Sequence, residues 1–435
     1  MFTQESVSVL IRIKRVLKKS KLICRIYSSI YGLFHGEGFE STVSEVTALT
    51  PRASNHQGVR LNILIPSVQT EHVFGGIATA LKFYEQLADE MGVKRRIITL
   101  NAPVYEADLL RFPNYQIVSP ADDTDSDRQI ISIVDVEHIP FPVWKGDIFI
   151  STIWWSEIIL KEIIKWQANA YHQDATRHLF FIQDFEPYFY PWSTRYLMAI
   201  SAYHEDYPMI AVFNSQQLQE YFHLNGFCFS NEFCFDPIIN SHLRSFLDTR
   251  TLYQKKKQII IYGRPNTPRN AIELIIESLK LWTARMPDSS NWILLSMGEK
   301  HQDVQLGNGC TLRSQGKLPL EEYARLMMES YAGISLMVSP HPSYPPLEMS
   351  TFGVKTITNR FANKDLSSFN DNIISLQHCT TQSIASELVC LCETYDGTGV
   401  PGVNSVFLRD VEDEFAGIIN EVGLLLVTDR SGGSS

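Results

Sequence analysis

From Val59 to the C-terminus, short continuous apolar blocks alternate with longer stretches in which apolar residues recur every three or four positions. A short block bounded by turn residues reads as a buried strand, and the wider spacing reads as a helix with one buried face. Arg60 to Pro66 thus predicts a strand. Ile77 to Met91 predicts a helix with Ile77, Ala80, Leu81, Tyr84, Leu87 and Ala88 on one face, ended by Gly92. Lys94 to Leu100 predicts the next strand, completing a β-α-β unit. Asp147 to Thr152, Arg177 to Ile182 and Pro208 to Asn214 predict further strands. Helices are expected over Trp154 to Trp166 and, capped by Ser215, over Gln216 to His223.

The pattern loosens between Asp236 and Lys257 and then restarts. Ile259 to Tyr262, Trp292 to Met297 and Ile334 to Val338 predict strands. Ala271 to Arg285, a segment within Leu318 to Glu329, and Leu347 to Phe352 predict helices, the last stopped by Gly353 before the apolar run Val354 to Thr358. Val403 to Val427 predicts a long helix, with Phe407, Val411, Phe415, Ile418, Ile419 and Val422 at helical spacing. Strands alternating with helices through short connections mean parallel sheets covered on both faces. The expected fold class is α/β, with two Rossmann-like, doubly wound domains facing a cleft. Residues 58–240 form the first domain, 255–402 the second, and 403–430 a C-terminal helix; residues 1–57 are a basic leader and linker.

That leader interleaves Arg12, Lys14, Arg15, Lys18, Lys19, Lys21 and Arg25 with aliphatic residues. Residues 1–35 suit an amphipathic helix on an anionic membrane surface, or a helix packed on the body with a solvated basic face. Gly36 to Gln57 is polar and without period, as a linker is. The formal net charge of −10 argues against a nucleic-acid partner. Hydrophobic residues at 44% exclude a largely disordered chain. Seven cysteines at irregular spacings do not form a disulfide framework, which fits a reducing cytoplasm. Cys390 and Cys392 read as core thiols. No run approaches the ~18 apolar residues of a spanning helix. Asp122 to Asp127 contains a D-x-D pattern but reads as a solvated loop, so no metal is expected.

Candidate chemistry concentrates in Ser339 to Val354. Glu348 is expected in the first turn of a helix at the carboxyl end of a strand, where open α/β sheets bind ligands. A carboxylate there accepts hydrogen bonds from two ribose hydroxyls, or simply favours a helix N-terminus. Arg264 and Arg269 follow a strand end, and Lys300 and Lys317 flank elements of the same domain. Together they suit a diphosphate and stabilise charge growing on it as it leaves. Gly75-Gly76 would let backbone N–H groups approach a phosphate; the G-x-G-x-x-G fingerprint is missing, so no nicotinamide cofactor is indicated. Asp184 and Glu186 follow a strand end in the first domain and would orient or deprotonate an acceptor hydroxyl across the cleft. Alternatively, Asp184 caps its loop and the neighbouring aromatics are core.

Gly263-Arg264 with Arg269, Glu348-Met-Ser-Thr-Phe-Gly353-Val354 and Gly75-Gly76 occur in the order of the motifs of GT-B glycosyltransferases of family 4, which the chain resembles from Arg60 onward. With Gln183-Asp-Phe-Glu-Pro and Ser339-Pro-His-Pro-Ser-Tyr-Pro-Pro-Leu-Glu it looks most like bacterial rhamnosyltransferases of surface-layer glycan assembly, which use dTDP-L-rhamnose. The resemblance implies retention at the anomeric carbon without a metal or other cofactor, and a glycan acceptor, with a lipid-linked one expected. It implies that Glu348 binds the ribose, that Arg264 and Arg269 hold the diphosphate with Lys317 nearby, and that Gly75 and Gly76 approach the donor. It also implies a C-terminal helix crossing back to the first domain. The family carries a second glutamate eight positions before the first; Pro340 stands there, with His341 beside it either as a partial substitute or simply as a loop residue between prolines. UDP- or GDP-sugar donors, and a weakly active nucleotide-sugar-binding subunit, remain open.

Overall fold

The computed structural model describes residues 42–69, 75–134, 139–410 and 414–428; the basic segment 1–35 lies outside them. The sheets below all lie within Val46–Ser435, which is described by itself. Its first sheet comprises β1 (Val59–Ile65), β2 (Lys94–Thr99), β3 (Gln116–Ile117), β4 (Arg128–Ser132), β5 (Gly146–Ser151), β6 (His178–Ile182), β7 (Met209–Phe213) and β8 (Asn231–Cys234). All pairings are parallel, in the order β8-β7-β6-β5-β1-β2-β4-β3. The second contains β9 (Lys256–Gly263), β10 (Ile293–Gly298), β11 (Val304–Gly307), β12 (Cys310–Gly316), β13 (Ser330–Ile334), β14 (Lys355–Asn359) and β15 (Ile373–Leu376). Their order is β11-β12-β10-β9-β13-β14-β15, and only the β11–β12 pairing is antiparallel. The central strands are buried on both faces, which is why they appear in the chain as continuous apolar blocks.

Helices cover both sheets: α1 (Gly76–Met91), α2 (Trp154–Tyr171), α3 (Thr194–Ala202) and α4 (Gln216–Leu224) in the first half, then α5 (Ile272–Arg285), α6 (Leu320–Glu329), α7 (Tyr344–Thr351), α8 (Thr381–Glu393) and α9 (Ile419–Thr428). Ser215 caps α4 by accepting the Leu218 N–H, as its position suggests. The amino end of the first sheet is closed by a buried ion cluster. Arg60 reaches the Asp147 carboxylate with Nε and Nη2 at 2.8 and 2.9 Å, and Arg96 joins it at 3.2 Å. Those charges are paired and hydrogen-bonded, the condition under which burial is tolerated. The carboxyl ends of the strands are left for other chemistry.

Several expectations are corrected. The strand predicted at Ile334 to Val338 lies at Ser330–Ile334. Ser335 still donates to Ile357 O at 3.0 Å, but the Asn359 side chain then takes both the Met337 N–H (2.7 Å) and its carbonyl (3.0 Å), so the chain leaves the sheet. α7 starts at Tyr344 rather than Leu347, because Pro345 and Pro346 occupy its first turn, where a missing N–H costs nothing. Glu348 is therefore in the second turn. The long helix over 403–427 is only α9. Upstream, Asn404 Oδ1 takes the N–H groups of Val406 and Phe407, and Ile239 donates to Phe407 O at 2.8 Å. α9 packs on the first domain, with Gly423 facing Met91 and Leu87 and Arg177 donating to Leu425 O at 3.0 Å. Within the supposed linker, Thr50–Ala53 pairs as a strand with Pro140–Val143. Cys392 is buried as expected, whereas Cys390 is exposed. Asp123 bonds Ser54, and Asp125 and Asp127 pair with Lys94; no metal-holding cluster occurs among the described residues.

Candidate functional site

In each sheet the strand order reverses beside the first strand of its half, at β1/β5 and at β9/β13. Such switch points open a crevice at the carboxyl ends of the strands. In the second sheet Arg264 leaves the end of β9 directly after Gly263. Its stem crosses Gly298 at the end of β10. A Cβ on Gly298 would stand 3.1 Å from both Arg264 Cγ and the Gly263 carbonyl oxygen, and Gly298 itself has φ +113°. Tyr262 lies close enough to both Arg264 and Glu348 for each to act on its phenol, which burial raises above the ordinary range. From α6, Tyr323 donates its phenol to Glu348 Oε2 at 2.9 Å. Burial pushes the Glu348 carboxyl up to about 7, with the Tyr323 bond acting the other way. The two residues expected to hold the diphosphate and the ribose of a nucleotide are thus both neighbours of Tyr262.

Gly298→Ala is expected to place a β-carbon in a left-handed backbone against a fixed carbonyl, costing about 1–3 kcal/mol. It would also displace Arg264. Thermal unfolding and nucleotide affinity, measured together, should both worsen; a loss of stability alone would separate Gly298 from the Arg264 position.

The amino end of α7 meets the first domain. The Tyr344 phenol lies within reach of Thr79 in the first turn of α1, and Thr79 Oγ1 donates to Gly75 O at 3.2 Å. Gly75, at φ 52° and ψ −124°, makes the turn into α1. A Cβ on Gly76 would run into the Gln183 amide. The Gly75-Gly76 turn therefore sits one helical turn from the second domain's crevice.

A second cluster spans the two domains. Asp184 is buried; its Oδ1 accepts from Ser339 Oγ at 2.5 Å and from the Phe185 N–H at 2.9 Å, and its Oδ2 lies 3.6 Å from Arg269 Nε. Burial raises its carboxyl above the usual range, against Arg269 and Ser339. The Arg269 guanidinium stacks over Phe189 at 4.3 Å, so here it faces the first domain. Lys364, wholly buried, donates to Met337 O at 2.6 Å, and burial pushes it down to about 7. His341 Nδ1 accepts the Ser343 N–H at 3.0 Å, which puts the ring proton on Nε2. Burial, then Lys364 and Arg269, push this imidazole down to about 3. His341 is thus a neutral N–H donor at ordinary pH.

Glu186 takes a different place. Its Oε2 accepts the Trp154 N–H at 2.5 Å, at the start of α2, and burial raises it well above the ordinary glutamate range. Lys317 is exposed just beyond β12, and Lys300 donates to Ser314 O at 2.9 Å. Sequence reasoning missed Tyr262, Tyr323 and Lys364. A phenol one helix away has no sequence relation to Glu348, and Lys364 sits in a polar loop without a motif.

Two family models match the chain: the WsaF N-terminal domain over residues 60–216 and the WsaF C-terminal domain over residues 257–389, together about two thirds of its length. The chain belongs to the WsaF family. A relative of this WsaF-family chain is the O-antigen biosynthesis protein RfbC of Myxococcus xanthus, 26% identical over 288 residues. The match covers 66% of this chain and 21% of RfbC, so the chain spans about a fifth of that relative's length. Among solved structures, the WsaF-family chain is similar to a sucrose-phosphate synthase from Thermosynechococcus elongatus, with a TM-score of 0.55, 12% identity, and coverage of 86% of this chain and 100% of that one. It is also similar to OtsA in its apo form, with a TM-score of 0.51, 10% identity, and coverage of 87% and 100%. At these identities the likeness is one of fold: two Rossmann-like domains facing a cleft, the GT-B arrangement.

Proposed function

We propose that this WsaF-family protein is a retaining glycosyltransferase that moves L-rhamnose from dTDP-L-rhamnose to a growing, lipid-linked surface glycan without a metal. The observation that carries the reading is that Arg264 and Glu348 both neighbour Tyr262 at the switch point of the second sheet, with Tyr323 donating to Glu348. Glu348 accepts the donor ribose hydroxyls. Arg264 holds the diphosphate, and Arg269 swings to it from Asp184 when the donor enters. The acceptor hydroxyl comes from the first-domain side, oriented by Asp184. Its oxygen bonds the anomeric carbon on the face from which the diphosphate departs, and its proton passes to the departing phosphate oxygen. His341, as an N–H donor beside Pro340, contacts the sugar where a carboxylate is missing, which suits a deoxy sugar with fewer hydroxyls. Among the described residues no helix is long and apolar enough to cross a membrane. The basic segment 1–35 would hold the protein at the cytoplasmic face of the membrane.

The test is calorimetric titration with dTDP, UDP and GDP, followed by sugar-transfer assays with the preferred donor. Selective dTDP binding and rhamnosyl transfer support the reading. Preference for UDP or GDP discards the sugar and keeps the enzyme, and silence with all three removes the nucleotide-sugar site.

Because ribose hydroxyls donate to an ionised carboxylate, donor binding should release the Glu348 proton. Affinity for the intact sugar nucleotide, whose diphosphate does not titrate here, is expected to rise with pH through about 7. It should be about tenfold weaker at pH ~6 than at pH ~8. Glu348→Gln should flatten that profile; a wild-type profile already flat would remove the carboxylate from the ribose.

A further inference from the structure

We infer that Lys255 is a positioning residue for the nucleotide site, its buried ammonium tying together the carboxyl-terminal ends of α6 and α7, the helices that carry Tyr323 and Glu348. Lys255 Nζ donates to Met327 O at 2.9 Å and to Phe352 O at 2.8 Å. Met327 lies one turn after Tyr323, and Phe352 one turn after Glu348. The ammonium therefore bridges two helices one turn below the point where their side chains meet. The distance it sets between those carbonyls is carried up each helix to the Tyr323–Glu348 hydrogen bond. Carbonyls in a last turn have no N–H within their own helix and bear the negative end of the helix dipole, so a cation is the complementary group.

The lysine itself is held from several sides. Its backbone N–H donates to Gly397 O at 2.8 Å, and its carbonyl accepts from Tyr395 Oη at 2.6 Å. Gly399 leaves room for its stem, since a Cβ there would collide with Lys255 Cε. Only 4% of the residue is exposed; its Nζ lies 5.3 Å from the Tyr253 ring centre, and among the described residues no carboxylate acts on it. Burying an ammonium without a counter-ion is costly: burial pushes Lys255 down to about 7, so it shares its proton range with Glu348, although the neutral amine still donates to both carbonyls. A well-packed apolar residue is often no worse for stability. An apolar side chain at this position would leave two helix ends untied, which is the geometric role that distinguishes the lysine.

The inference rests on Glu348 serving the nucleotide, but its test does not. In the full chain without nucleotide, the Glu348 carboxyl is followed by its ¹³C shift against pH, the resonance being identified by its loss in Glu348→Gln. The groups facing that carboxyl are Tyr323 from α6, Tyr262 from β9 and Tyr344 of α7. Tyr323→Phe removes a bond that favours the ionised form, so the Glu348 midpoint should rise. Lys255→Met should raise it in the same direction, and the double variant should go no higher, because both act through one contact. A folded Lys255→Met with an unmoved midpoint, or shifts that add, overturns the inference. Should that variant fail to fold, Lys255→Gln reaches one carbonyl only and should give a smaller rise; no rise overturns the inference equally. Titration with dTDP then reads the consequence, a loss of affinity of about tenfold in Lys255→Met. If dTDP does not bind the wild type, the donor reading falls while the Glu348 midpoint still decides the role of Lys255.

Discussion

Glu348→Ala is expected to weaken dTDP binding by about 2–4 kcal/mol, the loss of two hydrogen bonds to a charged acceptor. That corresponds to a dissociation constant about thirtyfold to about seven-hundredfold higher. The fold should survive, since Glu348 is in the second turn of α7 and the Tyr323 phenol is the partner it leaves behind. Calorimetry beside thermal unfolding separates the two effects. Binding within twofold of wild type would move the ribose elsewhere and take the proposed donor site with it. Tyr323→Phe should cost much less, because it removes a bond that positions the carboxylate and leaves the carboxylate in place.

Arg264→Ala carries the second large effect, expected in turnover more than in binding. Negative charge grows on the diphosphate as the anomeric bond breaks, so a guanidinium placed there stabilises the transition state more than the bound donor. Removing one such group costs about a hundredfold to a thousandfold in kcat. The KM for the donor should rise less than kcat falls. The opposite split, a large rise in KM at unchanged kcat, would make Arg264 a binding residue with no share in the chemistry. Arg264→Lys should recover part of the loss, since one ammonium replaces a planar fork with a single point of charge. Together with Glu348→Ala, this pair distinguishes a transferase from a nucleotide-binding subunit: the subunit would respond to Glu348 in binding and show no turnover for Arg264 to lower.

Strand-end arguments put Arg264 directly after a strand, where it lies, and Glu348 in the first turn of a helix, whereas it lies in the second. Both are neighbours of Tyr262, and Gly75-Gly76 opens α1 against the amino end of α7. The errors arose where side chains override local pattern. Asn359 strips Met337 from β13, and Asn404 breaks the helix that the spacing of Phe407 to Val422 suggests. Glu186 shows the same limit for function: two residues from Asp184 in the chain, it turns away to the start of α2, because nearby positions after a strand need not face one way. Arg269, placed with the diphosphate on the strength of its motif, lies against Asp184 and Phe189.

The alternation of apolar blocks and helical spacings was enough to indicate two largely parallel sheets covered by helices, because burial on both faces and one-sided helix burial are properties of short segments. Strand ends followed by Gly, Arg and Glu were enough to nominate the crevice. Which residues meet inside it was decided by packing between segments far apart in the chain. Tyr323 reaches Glu348 from another helix, Ser339 and Arg269 reach Asp184 from another domain, and Lys255 reaches two helix ends from the start of a strand. The charge states follow from those meetings. Glu348 near 7, His341 held neutral and Lys364 lowered all come from loss of water around groups whose neighbours no local pattern names.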